Sequence, residues 1–82
     1  MAEHEITSPL PGIFYRRPAP DKAPYLKEGD KVESGATIGL VEVMKTFNEV
    51  ESDVGGTLVR YLVENEESVE SGQALAVVET DG

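Results

Sequence analysis

The stretch Val32-Glu33-Ser34-Gly35-Ala36-Thr37-Ile38-Gly39-Leu40-Val41-Glu42 returns as Val69-Glu70-Ser71-Gly72-Gln73-Ala74-Leu75-Ala76-Val77-Val78-Glu79, at a constant offset of 37 positions (69 minus 32). Val-Glu-Ser-Gly is identical in the two copies. Upstream, Gly12-Ile13-Phe14 pairs with Gly56-Thr57-Leu58 at an offset of 44 (56 minus 12). Two equivalent halves that each bury one apolar face imply a sandwich with a quasi-twofold axis. Helical periodicity is scarce along the chain. Short β-type runs punctuated by glycine indicate an all-β sandwich or small barrel instead. The predicted strands are 5–8, 12–15, 31–32, 37–44, 47–51, 56–61, 68–69 and 74–79. Pro24 argues against a regular helix over residues 20–26. The shared core is expected at Val32, Ile38, Leu40, Val69, Leu75 and Val77.

Eighty-two residues make one domain, and a chain this short buries only about 60% of its unfolded surface. There is no cysteine, which removes disulfides and thiolate chemistry together. No apolar run approaches the ~20 residues needed to span a bilayer, so a cytoplasmic protein is expected. Seven basic residues against sixteen acidic ones leave a net charge of −9. Such a surface repels phosphate backbones and anionic membranes, so neither nucleic acid nor membrane is an expected partner. The denser acid at Glu64, Glu66, Glu67 and Glu70 reads as a solvated face, with docking towards a basic partner as the alternative. The single histidine, His4, lies in the polar start of the chain, and no metal centre is expected. Glu49, Glu51 and Asp53 follow a period of two, as on one exposed face of a strand.

Midway between the two copies stands Leu40-Val41-Glu42-Val43-Met44-Lys45-Thr46-Phe47-Asn48-Glu49-Val50. Its flanks alternate like two strands, and a reversal at Met44-Lys45 would project the lysine into water. Tight hairpin turns favour Asn-Gly or Asp-Gly. Met-Lys has no such claim, so either the turn is longer or something other than turn propensity selects these residues. Glu42-Val43-Met44-Lys45 resembles the Glu-Ala-Met-Lys-Met signature of biotin carboxyl carrier domains, within the biotinyl/lipoyl attachment family. Val43 is a mild change from that signature, and Thr46 replaces its second methionine. The run Phe47-Asn48-Glu49-Val50-Glu51 also fits the family.

The repeat locates an insertion as well. Its offset falls from 44 to 37 between Phe14 and Val32, so the first half carries seven residues that the second lacks. They fall within Tyr15–Tyr25, whose three prolines stiffen a protruding loop. Phe14-Tyr15-Arg16-Arg17-Pro18-Ala19-Pro20-Asp21 is similar to the "thumb" of the carriers in bacterial acetyl-CoA carboxylases. Arg17 stands where that family often has threonine.

The resemblance covers about Ile6 to Glu79. It implies a flattened β-barrel or sandwich of two quasi-twofold-related four-stranded antiparallel sheets, with a thumb in the first half. The organisation would be a flexible tail at 1–5, a carrier domain at 6–80 (thumb about 16–25, lysine hairpin about 42–48) and a tail at 81–82. By the same resemblance, biotin is covalently attached to Lys45, within the turn residues Glu42, Val43, Met44 and Thr46. Arg17 is a candidate contact for its ureido group. The implied role is that of a non-catalytic, monomeric carrier. A biotin protein ligase modifies it, a biotin carboxylase charges the biotin, and a carboxyltransferase passes the carboxyl group to an acyl-CoA such as acetyl-CoA. A lipoyl carrier domain or an unmodified β-sandwich docking module are the alternatives. The lipoyl family typically has Asp-Lys-Ala at the turn and lacks the thumb.

Overall fold

The computed structural model describes residues 2–80. Eight strands follow in chain order: β1 (Ala2–Thr7), β2 (Gly12–Tyr15), β3 (Lys31–Val32), β4 (Thr37–Val43), β5 (Thr46–Glu51), β6 (Gly56–Tyr61), β7 (Glu67–Val69) and β8 (Ala74–Thr80). They form two four-stranded sheets, β1-β8-β6-β3 and β5-β4-β2-β7, with antiparallel neighbours throughout. Exchanging β1 with β5, β8 with β4, β6 with β2 and β3 with β7 turns one sheet order into the other. The expected all-β sandwich is therefore observed, and its symmetry reaches individual bonds.

Ser8 and Ser52, 44 positions apart, are both buried, and each hydroxyl donates to a carbonyl two residues on, Leu10 O at 2.5 Å and Val54 O at 2.6 Å. Their own carbonyls accept from the N–H groups of Gly72 and Gly35, each at 2.7 Å. Buried hydroxyls are tolerated because every polar atom finds such a partner. Gly12 and Gly56 are twins too. A Cβ at either would collide with a carbonyl oxygen, that of Glu42 or of Glu79. Only glycine lets the neighbouring strand come this close.

The core is one continuous cluster between the sheets, built around Phe14, Ile38, Val41, Leu58, Leu75 and Val78. All six expected core positions are buried, but Leu40 and Val77 stand outside that cluster. Register shifts in β4 near Gly39 and in the pairing of β1 with β8 at Ile6/Thr7 change the alternation. Val41 and Val78 consequently take core positions that strict alternation from Ile38 and Leu75 would not give them.

The start of the chain departs from expectation. Residues 2–5 of the anticipated flexible tail are ordered as the beginning of β1, in register with β8 from Ala2↔Thr80 onward. Its polar side chains are those of an edge strand, where only Ile6 must be buried. The anticipated tail at 81–82 lies outside the described residues. No helix forms over residues 20–26. Among the described residues, no helix is long and apolar enough to cross a membrane.

Candidate functional site

The β4–β5 hairpin closes with Val43 opposite Thr46, which leaves Met44 and Lys45 alone in the turn. Both have positive φ, 49° and 67°. Two left-handed central residues are the mark of a type I′ turn, whose twist matches that of the flanking strands. The turn is thus no longer than two residues, and its sequence is not the one turn propensity would select. Left-handed backbone costs a residue with a Cβ about 1–2 kcal/mol. The surrounding sheet holds it in place: β4 is bonded on one side to β5 and on the other to β2. The Asn48 amide adds bonds to the carbonyls of Val41 and Thr46, both at 3.3 Å.

Lys45 is exposed at the tip. Beside it Met44 is 93% and Phe47 56% exposed, two of the four large apolar side chains left open among the described residues. Thr46 is exposed, Glu42 is half-buried, and Val43 packs against the core. The structure therefore gathers all five expected hairpin residues in one element, with different surroundings. Glu42 ties the hairpin to β2 by accepting a 2.8 Å hydrogen bond from the Tyr15 hydroxyl. That bond is the main reason the Tyr15 phenol is pushed above its ordinary value; burial and the charges of Glu42 and Glu66 act in the same direction.

Arg17 stands apart from these five, on the insertion after β2. The insertion is closed at its base by the Tyr25 N–H donating to Arg16 O at 2.8 Å. Arg16 fastens it to the sandwich. Its N–H donates to Asn65 Oδ1 (2.8 Å), its guanidinium donates to Val63 O (2.7 Å), and it lies 4.5 Å from the centre of the Tyr61 ring. Between thumb and hairpin opens a cleft of about 290 Å³, lined by Pro18, Pro20 and Arg17 on one side and by Tyr15, Phe47 and Glu66 on the other. The rings of Tyr15 and Phe47 stand 5.9 Å apart at 57°. The Arg17 Nε–H is shielded from solvent and meets no acceptor.

Sequence reasoning missed the walls that face the thumb. Phe47 was visible as part of a strand, but its exposure was not. Glu66 arrives from the β6–β7 turn with φ of 68°. The repeat could have found it, because its twin 37 positions earlier is Gly29, also at positive φ.

Residues 4–78 match the family model described as "Biotin-requiring enzyme". The chain is 43% identical over 77 residues to the biotin carboxyl carrier protein of acetyl-CoA carboxylase from Nostoc sp., covering 94% of this chain and 42% of that one. It is 45% identical over 74 residues to the chloroplastic biotin carboxyl carrier protein of acetyl-CoA carboxylase 1 from Arabidopsis thaliana, covering 90% and 26%. The chain thus spans less than half the length of these relatives. Among solved structures, urea carboxylase from Kluyveromyces lactis superposes with a TM-score of 0.78 at 28% identity, over 96% of this chain and 6% of that one. The family match runs through both halves of the sandwich and the lysine hairpin between them, and the chain belongs to the biotin-requiring enzyme family.

Proposed function

We propose that this domain is a non-catalytic carrier whose Lys45 holds biotin in amide linkage and presents it in turn to a biotin carboxylase and a carboxyltransferase, with acetyl-CoA as the final acceptor. One observation carries the reading: a rigid two-residue turn places Lys45 at the exposed tip of the hairpin in a backbone conformation its own residues disfavour. Strain of this kind is kept where function requires particular side chains. The relatives named above are carriers of acetyl-CoA carboxylase, which supports the choice of acceptor.

The residues present suit the group. The cleft beside the hairpin has apolar walls in Pro18, Pro20 and Phe47 for a compact ring system. The Arg17 guanidinium, which also lines this cleft, carries donors of the kind a ureido oxygen accepts. When bound, biotin supplies a ureido nitrogen that can take up a carboxyl group and give it away. The protein supplies presentation. An ammonium must shed its proton before it attacks an activated acyl group, and a ligase can surround this protruding tip while the sandwich stays folded. Met44 and Phe47 give the ligase exposed apolar surface flanking the amine. Amide formation removes the lysine charge. The resulting side chain reaches about 15 Å from the backbone by ordinary bond lengths. Tethering keeps its end in the mM range of effective concentration around partner sites. Tyr15 and Glu42 hold the hairpin against β2, so the arm swings from a fixed base.

Exposure of the chain to a biotin ligase and a lipoyl ligase in separate reactions, each with its acid and ATP, tests this assignment. Biotinylation without lipoylation is expected. Lipoylation in preference would overturn it.

A further inference from the structure

A second cleft, of about 280 Å³, lies on the thumb between its two legs and the end of β6. Arg16 and Arg17 line it from the outgoing leg, Pro24, Leu26 and Lys27 from the returning leg, and Tyr61 from the sandwich. The chain carries −9 overall, yet three of its seven cationic side chains meet here. Glu28 is the one carboxylate that also lines the cleft. Among the described residues, the three cations make a single ion pair, a 3.5 Å contact from Arg16 to Glu64, whose side chain is 87% exposed. Three cations against these two carboxylates leave a net positive charge at this point of an otherwise acidic chain.

Two buried donors sharpen that observation. The Nε–H groups of both Arg16 and Arg17 are shielded from water and have no acceptor. Native structures rarely leave such donors unmet, and a missing ligand is one reason when they do. Guanidinium Nε–H groups pair well with the planar, charged oxygens of a carboxylate. The remaining walls are apolar at Pro24, Leu26 and the Tyr61 ring, with the polar side chain of Asn65 beside them, and the volume exceeds what a bare oxyanion fills. The ligand class that satisfies both kinds of wall has a carboxylate head and a short apolar body.

We infer that the cleft between the thumb's legs is a binding site for a small organic carboxylate, held by Arg16, Arg17 and Lys27 and seated against Leu26 and Tyr61. Its occupation ties the outgoing leg to the returning one and so fixes the thumb on the sandwich. The inference does not depend on modification of Lys45, because the site lies within the unmodified chain.

The test follows the arginine Nε–H signals of the ¹⁵N-labelled, unmodified chain by NMR during titration with acetate, pentanoate or inorganic phosphate, at ionic strength held constant with chloride. Saturable shifts of both the Arg16 and Arg17 signals are expected with the carboxylates, pentanoate binding more tightly than acetate. Arg17→Gln and, separately, Lys27→Gln should each weaken pentanoate by about tenfold, as loss of a charge-assisted contact does. Arg60→Gln, which removes a cation paired with Glu3 at 3.9 Å, should leave it unchanged. Absence of saturable shifts, saturation by phosphate alone, or equal binding by both weakened variants and the wild type would each overturn the inference.

Discussion

Replacing Met44 and Lys45 together by Asn and Gly should make the domain more stable while removing the lysine to which biotin would be attached. Both positions have positive φ, which costs a side chain-bearing residue about 1–2 kcal/mol each. Asparagine tolerates this region and glycine occupies it freely, so most of that strain is released. Glycine at position 45 returns part of the gain, about 0.5–1 kcal/mol, through the added freedom of the unfolded chain. Little packing is lost, since Met44 is 93% exposed and Lys45 is exposed at the tip. The net expectation is about 1–2 kcal/mol of added stability, read as a higher urea midpoint with an unchanged slope. In a domain of this size each kcal/mol raises Tm by about 4–8 °C. Equal or lower stability would mean instead that the native turn holds no strain and that Met-Lys is simply accepted by the fold.

Gly12→Ala and Gly56→Ala should each destabilise by about 1–3 kcal/mol or more, because each new methyl meets a carbonyl oxygen of the neighbouring strand; tolerance of one alone, measured by urea denaturation, would break the twofold equivalence. Removal of residues 18–24 should change stability by no more than about 1 kcal/mol, since it leaves both the Arg16 anchor and Leu26 in place. A cooperative loss of fold in thermal melts would show that the thumb is part of the core. Burial first, and Asp30 next, push the Tyr61 hydroxyl up to about 12 against the lowering effect of Arg16. A raised value favours the neutral phenol in the folded state. Its contribution is therefore complete below about pH 10 and is lost as pH climbs towards 12. Wild type should weaken over that interval more than Tyr61→Phe in pH-resolved denaturation, and parallel curves would contradict the assignment.

The fold was legible because the chain repeats itself. Identical Val-Glu-Ser-Gly turns and paired glycines at 12 and 56 fixed the two halves, and the break in offset marked the insertion. What the repeat could not convey was where pairing outweighs composition. Ala2–His4 reads as a polar tail, yet its backbone has an edge of β8 to bond, and the same edge geometry occurs at β5 in the other half. The shifted core positions Val41 and Val78 follow from register shifts that leave no mark in hydropathy. At the site, Met44-Lys45 was conspicuous because it violates turn chemistry. The cleft was not, because its walls come from Tyr15, Phe47 and Glu66, residues brought together only by tertiary structure.

Whether Lys45, as displayed by this turn, is the attachment point is decided by site-resolved mass spectrometry after reaction with biotin ligase, biotin and ATP. The chain has four lysines, Lys22, Lys27, Lys31 and Lys45. The expected result is a mass increase of a single biotin, mapped to Lys45, and no increase in a folded variant in which Met44 and Lys45 are exchanged, because moving a side chain one position along a hairpin redirects it. Biotin on any other lysine, or equal modification of the exchanged variant, would contradict it.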